Sequence, residues 1–86
     1  MKVTFWAEAW DQYAWWQQND RKMVKRINAL VEDIMRNGHE GIGKPEPLRG
    51  DLSGFWSRRI DHEHRLVYRL VDDSVQVLAC RYHYGN

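Results

Sequence analysis

Apolar residues recur along the first half of the chain with the three- and four-residue spacing of amphipathic helices. This spacing predicts a first helix from Glu8 to about Asn19 and a second from Arg21 to Asn37. The expected core positions are Trp10, Tyr13, Ala14 and Gln17 in the first helix and Met23, Val24, Ile27, Leu30, Val31 and Ile34 in the second. Asp20 is placed to cap the second helix and Gly38 to end it. Because the helices are joined so tightly, we expect them to pack as a hairpin.

Short segments rich in β-branched and aromatic residues predict four strands. The expected strands are Lys2 to Trp6, Phe55 to Ile60, His64 to Val71 and Ser74 to Tyr84. Two prolines flank Glu46, so the segment from Gly41 to Gly50 is expected to form a rigid loop. The predicted fold class is therefore α+β, with two N-terminal helices packed on one face of an antiparallel sheet.

Alternation along the last two strands assigns their side chains to the two faces of the sheet. One face is expected to carry Leu66, Tyr68 and Leu70, the other Arg65, Val67 and Arg69, and the final strand to keep Val75, Val77, Ala79, Arg81 and His83 together. The helix pair must cover one face. The open face would then carry arginines and a histidine in a row, which is typical of a shallow polar site.

Composition and charge exclude several classes of protein. A chain of 86 residues has room for one domain, spanning 1–86, and contents of 43% hydrophobic and 29% charged residues are typical of a globular fold. Lys and Arg number 13 against 12 Asp and Glu, a net charge of +1, so any nucleic-acid site must be local. One cysteine cannot form an internal disulfide, and no apolar run approaches the ~20 residues of a membrane span. We expect a cytoplasmic protein that does not contact membranes.

Two groups of ligand-type side chains are predicted to be structural. His62 and His64 resemble a metal-binding pair, but Zn²⁺ needs a third or fourth ligand, and no second cysteine accompanies Cys80. We expect the two histidines to lie in a solvated turn, and we predict no metal or cofactor. Since the sequence places no base beside Cys80, its expected role is a small buried apolar side chain rather than a nucleophile.

The second helix begins with four cations where the helix dipole favours anions. They are Arg21, Lys22, Lys25 and Arg26. A solvated helix face, balanced by acidic residues further along, is one explanation. A phosphate-docking surface is the other, and its affinity would be sensitive to salt and independent of nucleotide sequence. The sequence leaves both interpretations open.

A larger polar set has the composition of a site that cleaves phosphodiesters. Its members are Glu46, Arg49, Arg58, Arg59, Arg65, Arg81, His83 and Tyr84. Without a metal, a carboxylate can take a proton from a ribose 2′-hydroxyl, guanidiniums can stabilise the pentacovalent phosphate, and an imidazole can protonate the leaving oxygen. The structural alternative is a loop salt bridge, exposed strand arginines and a frayed terminal histidine. Residue types alone favour that alternative narrowly.

Several uninterrupted stretches do not follow from composition, namely KPEPL, LSGFWSRRI, EHRLVY and the terminal ACRYHY. Through them, and nearly from end to end, the chain resembles the YoeB toxins of bacterial toxin–antitoxin pairs, also called the Txe type. The resemblance implies a RelE-like microbial-ribonuclease fold and an endoribonuclease that cuts mRNA in the A site of the 70S ribosome. It also implies inhibition by an antitoxin of the YefM or Axe kind, and a homodimer is a further assembly that we keep open.

The resemblance also assigns roles to single residues. The catalytic ones are Glu46 as the general base, Arg65 as the cation at the transition-state phosphate and His83 as the general acid. Arg59 matches a further phosphate contact. Arg49 stands where the family often has lysine, which keeps the charge but changes its geometry. Tyr84 matches a residue that positions the substrate.

Two other classes of function remain open. The same small fold carries ParE-like toxins, which inhibit gyrase and cut no RNA. Alternatively, the five tryptophans could form an interaction surface for a partner peptide. Trp15 and Trp16 point about 100° apart on a helix, so we expect at least one of them to meet solvent, a partner or a second copy of the chain.

Overall fold

A computed structural model describes residues 1–83 of the chain. Its elements, in chain order, are β1 (Lys2–Phe5), α1 (Ala7–Asn19), α2 (Arg21–Asn37), β2 (Glu46–Pro47), a 3₁₀ turn (Gly50–Leu52), β3 (Trp56–Arg59), β4 (Arg65–Val71) and β5 (Ser74–Ala79). The five strands form one sheet in the order β1-β5-β4-β3-β2. Two N-terminal helices on a sheet confirm the predicted α+β fold class. No helix within residues 1–83 is long and apolar enough to cross a membrane.

The sheet is mixed rather than wholly antiparallel. Strands β2 to β5 run antiparallel to their neighbours, whereas β1 pairs in parallel with β5. A parallel pair needs a long connection, and here both helices and three strands lie between the two partners. The segment predicted to be a loop contains the short edge strand β2, in which Glu46 is paired with Ser57 of β3.

The helices match the prediction at their ends but not throughout their core faces. Helix α2 spans Arg21–Asn37 as predicted, and the Asp20 side chain accepts a hydrogen bond from the Lys22 amide at 3.1 Å. In α1 the predicted core face is wrong at Trp10, which is 54% exposed, and at Gln17, which is also exposed, whereas Tyr13 packs against the core as predicted. The buried residues of α1 are Ala9, Gln12 and Trp16. The Gln12 and Trp16 side chains hydrogen-bond the backbone of Cys80, and these tertiary bonds fix which side of α1 faces the sheet.

A β-bulge changes the faces at the end of the sheet. Val67 is paired with Ala79 but Tyr68 is paired with Val77, so β5 carries one extra residue at Leu78. Tyr68 and Val77 pack in the main core under the helices, whereas Val67 and Ala79 belong to a second cluster on the other side. The predicted shared face of the final strand is therefore wrong at Ala79, which lies on the opposite face from Val75 and Val77. The strand also ends at Ala79 rather than continuing to Tyr84.

Candidate active site

An open cleft of about 350 Å³ lies at the end of the sheet that contains β2 and β3. Its lining residues are Lys44, Pro45, Glu46, Pro47, Ser57, Arg59, Arg65 and His83. Four of the predicted site residues, a glutamate, two arginines and a histidine, therefore line one cleft. They come from β2, β3, β4 and the segment after β5, so it is the fold that brings them together.

The strand register explains why these side chains share a face. Glu46 is paired with Ser57 across β2 and β3, and Arg59 is paired with Arg65 across β3 and β4. Ser57 and Arg59 lie on the same side of β3, because side chains alternate along a strand. Ser57 is also paired with Val67, which packs in the cluster that contains no helix residue. The cleft therefore opens on the sheet face that the helices leave uncovered.

The guanidinium of Arg65 is held at the cleft by the turn between β3 and β4. Its Nη1 donates to the carbonyl oxygens of Asp61 at 2.8 Å and His64 at 3.2 Å. The Asp61 carboxylate shapes this turn by accepting hydrogen bonds from the amides of Glu63 at 2.8 Å and His64 at 2.6 Å. One cation of the cleft is thus fixed in place by protein groups alone.

His83 follows a tight turn beyond the end of β5. Tyr82 lies in the left-handed backbone region at φ 70°, and its amide donates to His64 Nδ1 at 2.8 Å. Its carbonyl accepts a hydrogen bond from the Arg65 amide at 2.9 Å. His83 is exposed at the cleft. Tyr84, which the resemblance assigns to substrate positioning, lies outside the described residues.

Arg58 is fully buried and contributes to the fold instead of the cleft. Its guanidinium forms an ion pair with Asp33 of α2, and its Nε donates to the Tyr68 hydroxyl at 3.3 Å. It also donates to three loop carbonyls, those of Gly38 at 2.6 Å, Ile42 at 3.1 Å and Glu40 at 3.2 Å. The hydrogen bond from Arg58 lowers the pKa of Asp33 below its ordinary value of 3.8. Arg58 thus ties α2 to the loop that leads to Glu46.

Two more of the predicted cations lie outside the cleft lining. The Arg81 guanidinium stacks 3.5 Å from the ring centroid of Trp15 and 4.7 Å from that of Tyr82. Arg49 is exposed, and its carbonyl accepts a hydrogen bond from Leu52 in the 3₁₀ turn at 3.2 Å. The structure therefore does not bring Arg49 into the cleft with the other predicted residues. Trp15 is 39% exposed and Trp16 is buried, which confirms the prediction for this pair.

The four cations at the start of α2 divide into two groups. Arg21 and Lys25 line a separate groove, and Lys22 is exposed. Arg26 instead donates from Nε and Nη2 to the carbonyls of residues 60 and 59, at 3.3 and 3.2 Å. Arg26 therefore has a structural contact beside the cleft, and only the other three could form a docking face.

Lys44 and Ser57 also line the cleft and are not among the predicted site residues. Ser57 could have been found, since it lies two positions before Arg59 on a strand and so shares its face. Lys44 has a left-handed backbone at φ 52° directly before Pro45, and no sequence pattern indicated that its side chain would border the cleft.

His64 and Cys80 are both largely removed from solvent. The His64 side chain is 13% exposed and packs edge-on against Trp16 at 4.9 Å, so the predicted solvated turn is wrong for His64, whereas His62 is exposed. Cys80 is fully buried, and burial raises its pKa to about 12, as fits an unreactive apolar side chain. Within residues 1–83, no group of three or more His, Cys, Asp or Glu side chains is arranged to hold a metal ion.

A family model described as "YoeB-like toxin of bacterial type II toxin-antitoxin system" matches residues 5–84. The chain belongs to the YoeB toxin family. Toxin YoeB of Escherichia coli K12 is 57% identical over 84 residues, which cover 98% of this chain and 100% of that protein. The YoeB toxins are therefore similar to this chain over essentially its whole length.

Solved structures of YoeB toxins have the same fold. The YoeB/ParE toxin from Agrobacterium tumefaciens superposes with a TM-score of 0.95 at 46% identity, covering 98% of this chain and 100% of that one. The YoeB dimer from Staphylococcus aureus has a TM-score of 0.92 at 53% identity, and the YoeB–YefM complex from the same organism has 0.91 at 52%. Each covers 98% of both chains.

Proposed function

We propose that this chain is an endoribonuclease toxin that cleaves mRNA in the A site of the ribosome and so stops translation. The observation that carries the proposal is the single cleft lined by Glu46, Arg59, Arg65 and His83. These residues supply a base, two phosphate-binding cations and an acid, which are the groups that RNA cleavage without a metal needs. Membership of the YoeB toxin family supports the proposal.

Each group has a role in the proposed transesterification. The Glu46 carboxylate takes the proton of a ribose 2′-hydroxyl, and the 2′-oxygen forms a bond to the adjacent phosphorus. Arg65 and Arg59 stabilise the negative charge on the pentacovalent phosphate. The bond to the 5′-oxygen then breaks while the His83 imidazolium gives that oxygen a proton. The products are a 2′,3′-cyclic phosphate and a 5′-hydroxyl.

The open shape of the cleft suits an RNA substrate that is held in position by another molecule. Glu46 and His83 are both exposed, and the cleft is open to solvent. Such a site provides chemical groups but does little to orient a flexible RNA strand, and orientation is a large part of catalysis. The ribosomal A site, which holds mRNA in a defined path, would supply that orientation, and the cytoplasm is accordingly the proposed location.

We propose two protein partners on the basis of the similar structures. The complex from Staphylococcus aureus supports capture of this chain by a YefM- or Axe-type antitoxin, and the dimer from the same organism supports a homodimer. Three tryptophans present large apolar surface that could anchor an antitoxin segment. They are Trp6, Trp10 and Trp15, with 39%, 54% and 39% of their surface exposed.

The central test is cleavage of one defined mRNA, free and bound to 70S ribosomes, with the product ends mapped. We expect a cut in the A-site codon that leaves a 2′,3′-cyclic phosphate. Glu46→Gln and His83→Ala should each lower the rate at least about a hundredfold, the order expected for a general base or acid. Arg65→Ala should lower it by a similar factor of about a hundred, because a charge that stabilises the transition state is lost. Unchanged rates in two of the three would refute the assignment.

Matched controls lie on the same chain and outside the cleft. They are Glu40→Gln, Arg36→Ala and His62→Ala, at exposed residues that do not line it. These variants should keep the wild-type rate, which would show that loss of a carboxylate, guanidinium or imidazole matters only in the cleft. If the folded protein cuts no mRNA in either setting and cells show DNA damage instead, the gyrase-inhibitor alternative replaces this proposal.

The proposed docking face on α2 has its own test. Changing Arg21, Lys22 and Lys25 together to Ala should weaken ribosome binding and reduce the dependence of log K on log salt concentration, because fewer phosphate contacts release fewer counterions. Arg26 is left unchanged, since it holds the backbone at the end of β3. Unaltered binding with an unaltered salt slope would assign this face to solvent.

A further inference from the structure

The segment that presents His83 is anchored on α1. The Cys80 amide donates to Gln12 Oε1 at 2.7 Å, and the Cys80 carbonyl accepts from Trp16 Nε1 at 2.8 Å. All three of these residues are buried. Tyr82, directly before His83, has backbone hydrogen bonds of its own, so the backbone of Tyr82 decides where the histidine side chain starts.

Tyr82 has a backbone conformation that needs support. Its φ of 70° lies in the left-handed region, which residues with a side chain rarely adopt. Two hydrogen bonds hold it there. The Tyr82 amide donates to Nδ1 of His64 at 2.8 Å, and its carbonyl accepts from the Arg65 amide at 2.9 Å.

The His64 imidazole is itself held in one orientation. It packs edge-on against Trp16 at 4.9 Å, lies 6.3 Å from the Tyr82 ring and is 13% exposed. Its Nε2 lies 3.8 Å from a carboxylate oxygen of Glu63. Because Nδ1 accepts a hydrogen bond from an amide, the proton of the neutral ring must be on Nε2.

His64 thus connects Arg65 on one side of the cleft with the segment that presents His83. Its carbonyl accepts a hydrogen bond from Arg65 Nη1 at 3.2 Å, while its imidazole accepts one from the residue that precedes His83. His64 is nevertheless not one of the residues within 1–83 that line the cleft. Its contacts are with the Trp16 ring, the Tyr82 amide and the Arg65 guanidinium, not with the space where RNA would lie.

We propose that His64 is a positioning residue: its imidazole holds the Tyr82 backbone so that His83 faces the cleft, and it exchanges no proton with the substrate. The inference rests on the proposed function, since it requires His83 to act on a leaving group. It predicts that loss of the Nδ1 acceptor impairs protonation of that leaving group while the other catalytic groups keep their places.

The test compares two substitutions at one position on ribosome-bound mRNA. His64→Phe keeps an aromatic ring against Trp16 but has no acceptor, and we expect the cleavage rate at saturation to fall about a hundredfold, the order of loss for a catalytic group displaced by an ångström. His64→Asn places an amide oxygen near the position of Nδ1 and should stay within about tenfold of wild type. The concentration of ribosome-bound mRNA that gives half the maximal rate should hardly change, because Arg59 and Arg65 are still present.

A modified mRNA identifies which step is impaired. Sulfur in place of the bridging 5′-oxygen leaves as a thiolate and needs no general acid, since thiols are far more acidic than alcohols. On this substrate His64→Phe and His83→Ala should both approach the wild-type rate, whereas Glu46→Gln should remain slow. Equal slowing of both substrates by His64→Phe, or no slowing of either, would overturn the inference.

A measurement on the unsubstituted protein covers the case in which His64→Phe does not fold. The ¹⁵N spectrum of the wild type should show His64 with its proton on Nε2, and a proton on Nδ1 would contradict the inference. Failure of the proposed function has a different signature. A wild-type protein that cleaves neither substrate on the ribosome overturns that function and this inference with it, whereas wild-type cleavage with an unaffected His64→Phe overturns the inference alone.

Discussion

Replacing Gly43 by alanine tests how tightly the loop before Glu46 is packed. A Cβ at this position would lie 2.8 Å from Leu30 Cδ2 and 3.2 Å from both Arg58 Cβ and the Arg59 carbonyl oxygen. Leu30 and Arg58 are fully buried, so neither side chain has space into which to withdraw. Gly43 also has φ 81°, a conformation that only glycine adopts without cost.

The expected loss of stability is the sum of two effects. The left-handed conformation costs a residue with a side chain roughly 1–2 kcal/mol, and the overpacking costs about 1–3 kcal/mol more. Gly43→Ala should therefore lower the free energy of unfolding by about 2–5 kcal/mol. Gly50→Ala is the matched control, because Gly50 has φ 64° and open space around its added Cβ, so it should lose only roughly 1–2 kcal/mol.

The assay is equilibrium unfolding in urea, followed by tryptophan fluorescence and extrapolated to water. Both substitutions restrict the unfolded chain equally, so that contribution cancels in the comparison. If Gly43→Ala costs no more than Gly50→Ala, the close approach around Gly43 is not the tight contact that we describe. The Gly43 carbonyl also accepts a hydrogen bond from the Arg59 amide at 2.7 Å. Under the proposed function, a Gly43→Ala protein that folds should therefore cleave mRNA more slowly than Gly50→Ala.

Three further predictions concern buried contacts. Arg58 holds the pKa of Asp33 below 3.8, so the ion pair stabilises the fold above about pH 4, and this stabilisation is lost as the pH falls through the lower folded-state pKa. Asp33→Asn should therefore flatten the acid side of a plot of unfolding free energy against pH, measured in urea. An unchanged plot would contradict the ion pair. Because Cys80 is buried with a pKa of about 12, a thiol reagent should label it only upon unfolding, and rapid labelling of the native protein would be evidence against this. Trp16→Phe leaves the Cys80 carbonyl without its indole donor and should cost about 1–3 kcal/mol in thermal or urea unfolding, whereas unchanged stability would mean that the bond contributes nothing.

Sequence patterns predicted α2 to the residue because the cap, the apolar stripe and the stop signal agreed, although the four cations at its start oppose the helix dipole. The Asp20 cap, the apolar stripe and Gly38 all mark the same helix. The core face of α1 could not be predicted in this way, because Gln12 is buried through a hydrogen bond to Cys80, which lies far away in the sequence. The spacing of apolar residues carries no information about a hydrogen bond between residues that lie far apart in the sequence.

The candidate site was predicted in part by chemistry and in part by resemblance. Residue types indicated a carboxylate, cations and an imidazole, and the resemblance selected Glu46, Arg65 and His83, which the fold gathers in one cleft. Arg58 shows what residue types miss, since an arginine on a strand was grouped with the site although it is buried in an ion pair. The bulge at Leu78 likewise leaves no mark in a pattern of alternating residues.

The hydrogen bonds of Arg58 to the loop between α2 and β2 limit how the length of that loop can change. Loops on small proteins ordinarily accept inserted residues, because few contacts depend on their spacing. The loop between α2 and β2 differs, since its carbonyls at Gly38, Glu40 and Ile42 all accept hydrogen bonds from one guanidinium. An insertion there would take carbonyl acceptors away from the buried Arg58 guanidinium. It would also shift Glu46 of β2 out of its pairing with Ser57 of β3. The length of this loop is therefore as constrained as the identity of a core residue, and a chimaera that exchanges it must carry Asp33 and Arg58 along with it.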